Sequence, residues 1–378
     1  MKNLKILLIG EFYSDNLGDG VLCEVVYKLI SDNISTDITK LDLSARNNYG
    51  DYYIYTNTEK ILLKIIKRIQ KIFNIYPAGK INMLFKKKYF QKIFQNDYDI
   101  VIFAGGQLFM DWFVIPISMI IDICNKKHLP IIFHACGAKQ IDNKYLINKL
   151  QKTLSNQYIK SISIRDDINL VNEVYLKYSN IIATETFDSA LLSKQIFSNI
   201  TKISSEFIGL GIMSVPSIKD EQIIHFWLNI IKILEKKHIS YKLFCNGSDG
   251  DYKLLRKLLV IKNLSEKEYS LPKPKTPSDL VYSITRFKSI ISFRLHSHII
   301  ATSYSIPSIA IIWEKKVPIF FSKIGLLTRC KTLDTNCIDI VKALEQAEID
   351  GIDKQLILKQ GIASKFSLLN NIKNVLNK

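Results

Sequence analysis

The stretch Ser289–Lys316, "SIISFRLHSHIIATSYSIPSIAIIWEKK", decides the fold class. Two short apolar runs, "SIISF" and "SIAIIW", flank "SHIIATSYS", whose pattern is helical, and Pro307 opens the second run. Strand, helix and strand in that order form a βαβ unit, and such a crossover makes the two strands parallel. Arg294, Leu295 and His296 then stand between the first strand and the helix, while Glu314, Lys315 and Lys316 end the second strand. Parallel strands share a direction, so both charged sets lie on one rim, the rim at which open α/β sheets bind ligands. An ordinary βαβ unit with charged ends and one half of an active site are both consistent with the pattern.

The same alternation recurs along the rest of the chain. Upstream of the quoted stretch, "FIGLGIM", "SYKLFCNG" and the helical patterns "DEQIIHFWLNIIKILEKKHI" and "YKLLRKLLVIK" extend it to a second α/β unit beginning near residue 201. A short helix is expected around Leu280–Thr285. In the first half, "KILLIG", "DIVIFAGG", "PIIFHACG", "SISIRD" and "IIATET" read as strands between helical segments. The expected architecture is two Rossmann-like α/β domains facing a cleft, residues 1–195 and 201–336, closed by C-terminal helices over 337–378. A chain of 378 residues suits two domains.

Composition excludes several classes. Hydrophobic residues make up 47% and charged residues 23%, which is the make-up of a folded chain rather than a disordered one. The six cysteines form no CxxC pair, so neither a zinc cluster nor a disulfide framework is expected, and no metal site is assigned. The N-terminal apolar run is too short for a secretory signal and no run reaches the length of a membrane span, so a cytoplasmic protein is expected.

The charge balance of 52 Lys and Arg against 35 Asp and Glu leaves +17, which points to an anionic partner or surface. Residues 57–96 hold ten basic residues against the single acid Glu59, interleaved with Ile, Leu and Phe. "EKILLKIIKRIQKIF" places lysines at three- to four-residue spacing beside an apolar stripe, a basic amphipathic helix. It reads equally as a solvated helix packed on its own domain or as a helix touching the inner face of a membrane. No nucleic-acid motif accompanies the charge, and no nucleic-acid partner is expected.

The remaining candidate residues stand at strand ends. In "SDNLGDG", Asn16, Gly18, Asp19 and Gly20 follow the first strand: the glycines permit unusual backbone angles and Asp19 can cap the next helix, which gives either a tight turn or backbone N–H groups facing an anion. Gly105 and Gly106 of "FAGGQLF" and Gly137 of "HACGAK" end strands or admit a ligand closely. His134 in its apolar run reads as a core histidine. Arg165 at the end of "SISIRDD" needs an anion, whether Asp166, Asp188 or a ligand. "NGSDGD", Asn246–Asp251, reads as a solvent turn rather than a calcium loop.

The ordered set "NLGDG", "AGGQ", "SIRD", "FDSALL", "RLH" and "SIPSIAIIWEKK" resembles the polysaccharide pyruvyl transferases over roughly Ile6–Leu327. That resemblance implies two Rossmann-like domains arranged as in GT-B glycosyltransferases and transfer of pyruvate from phosphoenolpyruvate to a sugar. It implies roles for Arg294, Leu295 and His296, for Trp313, Glu314 and Lys316, and for Ser163, Arg165 and Asp166. Trp313 stands where the family commonly has Tyr, and Gln107 where a third glycine is usual.

The residue types suit the chemistry. Arg165, Arg294 and Lys316 can neutralise a phosphate and a carboxylate, His296 can protonate the enol methylene near neutral pH, and Asp19 or Glu314 can act as base. Phosphoenolpyruvate is the expected co-substrate, with no cofactor, and the expected acceptor is a sugar of a surface-polysaccharide precursor, free or lipid-linked. A GT-B glycosyltransferase using a sugar nucleotide is the alternative enzyme. A non-catalytic membrane-associated scaffold is the alternative of another class.

Overall fold

The computed structural model describes residues 3–50, 56–73 and 86–377. The first sheet is built from β1 (Leu4–Gly10), β2 (Thr36–Asp42), β3 (Ile100–Ala104), β4 (Ile131–Cys136), β5 (Ile159–Ile164) and β6 (Thr184–Glu185). All pairings are parallel, in the order β2-β1-β3-β4-β5-β6. Between these strands run α1 (Leu17–Ser31), α2 (Asn57–Phe73), α3 (Lys87–Ile93), α4 (Val114–Lys126) and α5 (Lys144–Leu154). β3 and β4 are buried along their whole length, because a parallel sheet covered on both faces favours apolar runs, with His134 the polar exception in β4. Phe103 and Phe133 stack at its centre, ring centroids 4.4 Å apart.

The second sheet contains β7 (Ile208–Gly211), β8 (Tyr241–Phe244), β9 (Ser289–Ser292), β10 (Ser308–Ile311) and β11 (Cys330–Lys331), all parallel, in the order β11-β10-β9-β7-β8. Its helices are α6 (Asp220–Lys236), α7 (Asp249–Lys262), α8 (Pro277–Ile284), α9 (Leu295–Ser303) and α10 (Lys316–Lys323), followed by the C-terminal α11 (Cys337–Asp350) and α12 (Lys354–Leu376). The core under α6 is aromatic, with Trp227 and Phe226 both set edge-on to Phe293. Two parallel α/β domains with C-terminal helices are therefore present, as expected. By contacts, the first unit takes Met1–Tyr13, Val26–Phe187 and Ser364–Lys378, and the second takes Ser14–Val25 and Asp188–Ala363.

Each sheet reverses its strand order once. β1 is followed in sequence by β2 on one side and β3 on the other; β7 is followed by β8 on one side and β9 on the other. Such a reversal separates the loops leaving two adjacent strands and opens a crevice at their carboxyl ends. "SDNLGDG" and "AGGQ" leave β1 and β3, while "RLH" leaves β9.

Some expectations are corrected. "IIATET" yields only the two-residue, exposed β6. α8 begins at Pro277, earlier than expected, because Thr276 and Asp279 form a capping box. Leu295 and His296 are not loop residues: α9 starts at Leu295, with Arg294 at its N-cap. Of the basic stretch 57–96, residues 74–85, Lys80 included, lie outside the described residues.

Candidate active site

His296 is the centre of the second unit's site. It lies in the first turn of α9, is 5% exposed, and its ring rests on the first turn of α1. A Cβ added to Gly18 would stand 2.3 Å from the His296 Cβ and 2.8 Å from Nδ1, so only glycine admits the histidine there. This corrects the expected reason for that glycine: neither Gly18 nor Gly20 adopts a positive φ, and the requirement at Gly18 is close approach.

Two carboxylates flank the imidazole. Asp19 Oδ1 lies 3.6 Å from Nδ1 and Asp188 Oδ2 lies 3.9 Å from Nε2. Asp19 does not cap α1 as expected. It stands inside the first turn, where its carboxylate accepts a hydrogen bond from Asn16 Nδ2 (2.9 Å) and suits the positive end of the helix. Asp188 belongs to "FDSALL" and is held by accepting from the Ala190 N–H at 2.9 Å.

The loop after β8 fixes both helix starts. Asn246 O accepts from the Leu17 N–H at 2.9 Å, and Asn246 Oδ1 accepts from the Ser297 hydroxyl at 2.7 Å. Asn246 is 1% exposed, and its Nδ2 meets no acceptor among the described residues. The first turns of α1 and α9 thus meet around His296, and their dipoles put the positive ends of two helices beside it.

Arg294 is oriented by Asp251. Asp251, read as part of a solvent turn, is 1% exposed and lies in the first turn of α7, which Ser248 caps. Its carboxylate accepts two hydrogen bonds from Arg294, from Nε at 2.8 Å and from Nη2 at 2.9 Å, and one from the Ser214 N–H at 3.0 Å. Burial pushes the Asp251 carboxyl up, and the Arg294 charge and hydrogen bonds pull against that shift. A fork held in two places keeps its direction while further guanidinium donors stay available for a ligand.

The β10 end forms its own set. Trp313 Nε1 donates to Phe293 O at 2.8 Å, joining the tips of β10 and β9. Lys316 Nζ lies 4.8 Å from the centre of the Trp313 ring and 2.8 Å from Glu314 Oε2. The candidate cation and the candidate base are therefore ion-paired with each other. Leu295 is buried beneath this rim at 7% exposure.

Arg165, Gly105 and Gly106 belong to the first unit. Gly105 and Gly106 have φ of +50° and +74°, a left-handed pair that turns the chain sharply at the end of β3. Arg165 and Asp166 are both buried at the end of β5, and Asp166 Oδ1 accepts from the Ala138 and Asp167 N–H groups, tying that end to the turn after β4. His134 is fully buried between Ser163 Oγ and Ser364 Oγ, each 3.4 Å from a ring nitrogen, and burial pushes its pKa down to about 3. Among the described residues no three His, Cys, Asp or Glu side chains gather as metal ligands.

A groove of about 890 Å3 opens at the other end of the second sheet, near Phe207, Lys242, Tyr282 and Arg286. Its lining holds no histidine and adjoins the amino ends of β7 and β8, whereas open α/β sheets bind ligands at the carboxyl ends of their strands.

The fold is GT-B-like. It is similar to a putative UDP-N-acetylglucosamine 2-epimerase from Listeria monocytogenes, with a TM-score of 0.60 and 12% identity over 100% of this chain and 97% of that one. It is also similar to the UDP-GlcNAc 2-epimerase from Neisseria meningitidis, with a TM-score of 0.55 and 11% identity over 98% and 100% of the chains. The Methanocaldococcus jannaschii UDP-GlcNAc 2-epimerase gives 0.52 and 12% over 92% and 93%. No curated protein matches the sequence. The chain belongs to the polysaccharide pyruvyl transferase family, whose model matches residues 16–315.

Proposed function

We propose that the protein moves the pyruvyl group of phosphoenolpyruvate onto a sugar of a surface-polysaccharide precursor, closes a ketal and releases phosphate. The single observation that carries this reading is His296, seated on Gly18 between two carboxylates where the first turns of α1 and α9 meet, one residue beyond the pinned Arg294 side chain's neighbour Leu295. One place thus combines a proton donor with donors for an anion.

The reaction begins with transfer of the His296 proton to the enol methylene carbon, which becomes a methyl group and leaves the adjacent carbon electrophilic. A sugar hydroxyl adds there, and its proton passes to a carboxylate. Asp19 is the better placed, since Glu314 is bound to Lys316. Phosphate then leaves with the electrons of its bond to that carbon, and a second hydroxyl adds there, passes its proton to His296, which is thereby restored, and closes the ketal; the first hydroxyl's proton leaves the carboxylate with the released phosphate. Arg294 and the helix N-termini stabilise charge on the phosphate as that bond breaks.

Incubation with phosphoenolpyruvate and a panel of free and lipid-linked oligosaccharides in D2O tests the reading. The expected product carries a ketal-linked pyruvyl group with deuterium in its methyl, and phosphate appears in equal amount. Saturable sugar-nucleotide binding with no response to phosphoenolpyruvate would instead support a glycosyltransferase.

A further inference from the structure

α2 belongs to the first unit and exposes three of its apolar side chains. Ile61, Leu62 and Ile65 are 60%, 46% and 49% exposed, and Lys60, Lys64 and Arg68 are exposed beside them. The helix start is fixed by its own sequence. Thr56 Oγ1 accepts from the Glu59 N–H at 3.2 Å, and the Glu59 carboxylate accepts from the Thr56 N–H at 2.8 Å. At about 100° per residue, Ile61, Ile65 and Leu62 fall within an arc of about 100°, and Lys60, Lys64 and Arg68 occupy an adjoining arc of about 80°. Over residues 60–68, cations therefore border an exposed aliphatic face.

We infer that α2 is a docking surface for an anionic phospholipid bilayer, lying in the plane of the interface with Ile61, Leu62 and Ile65 among the acyl chains and Lys60, Lys64 and Arg68 at the headgroups. Charge complementarity selects this occupant. A second copy of the chain would set these cations against their own counterparts, in a protein of net charge +17. Nucleic acid would satisfy the cations and leave the aliphatic face in water. A basic amphipathic helix matches a membrane surface on both counts. The inference goes beyond the pyruvyl-transfer reading and does not depend on it.

Flotation of the full chain with phosphatidylcholine vesicles, with and without phosphatidylglycerol, tests it in the absence of any substrate. The protein is expected to float with the anionic vesicles and not with the neutral ones, and added salt is expected to release it. Replacing Lys60, Lys64 and Arg68 together by Gln is expected to lower the partition coefficient on the order of 100-fold. The pair Ile61→Ser and Ile65→Ser is expected to lower it by about tenfold or more. Both variants should keep the thermal midpoint, because the side chains replaced are exposed. Absence of flotation, or flotation unchanged in both variants, overturns the proposal. Self-association that the Ile→Ser pair abolishes, without flotation, assigns the face to a second copy.

Discussion

His296 owes its place to the side chain missing opposite it. Gly18→Ala puts a Cβ within 2.3 Å of the His296 Cβ, and neither backbone turn can yield easily. The variant is expected to lose about 1–3 kcal/mol of stability and at least tenfold in kcat/KM, read by urea unfolding and by phosphate release. Asp251→Asn tests the positioning of Arg294: it keeps the shape, removes the charge and leaves a partly buried guanidinium with a weaker partner. The expected outcome is a rise in KM for phosphoenolpyruvate of roughly 10- to 100-fold, or about 1.4–2.8 kcal/mol, with a smaller change in kcat. An equal fall in kcat with KM unchanged would contradict a substrate-binding role for Arg294. At this scale the sequence was only partly legible. Arg294 and His296 stood out because a strand end followed by a cation and an imidazole is chemically conspicuous. Asp251 did not: it lies 43 residues from its partner, and only the strand order, with β8 and β9 on either side of β7, brings the first turn of α7 within reach of Arg294. Asp188 was visible as a carboxylate, but nothing in the linear chain assigned it to the His296 ring.

The elements were easier to read where burial leaves one solution. β3 is a continuous apolar run, and β4, β9 and β10 are apolar apart from His134 and three serines, the pattern of buried parallel strands. β2 escaped notice because "TDITKLD" at the edge of its sheet is mostly half-buried and reads as polar. The tips of β9 and β10 are coupled by Trp313, whose ring N–H donates to Phe293 O. Trp313→Phe removes that bond and is expected to destabilise the protein by about 1 kcal/mol, measurable as a lower urea midpoint. A larger loss of activity than of stability would show that the bridge also sets the position of the rim.

At the scale of the whole molecule, buried histidines contribute to the response to acid. Burial pushes the His298 pKa down to about 4 and the His134 pKa down to about 3. Both bind protons near 6.5 once unfolded. Between those values protons favour the unfolded chain, so stability is full above about 6.5 and falls as the pH drops towards 4. At about pH 5 the expected loss is about 2 kcal/mol for each histidine, and His298→Gln is expected to flatten the profile relative to the parent in urea unfolding at several pH values. The family and the two-domain architecture were legible because the motifs occur in order at strand ends. The direct test of the central claim is acceptor-dependent phosphate release from phosphoenolpyruvate, measured for the wild type and His296→Gln side by side. A fall of about 100- to 10,000-fold in the variant, with phosphoenolpyruvate binding retained, is expected; release at the wild-type rate would contradict the account.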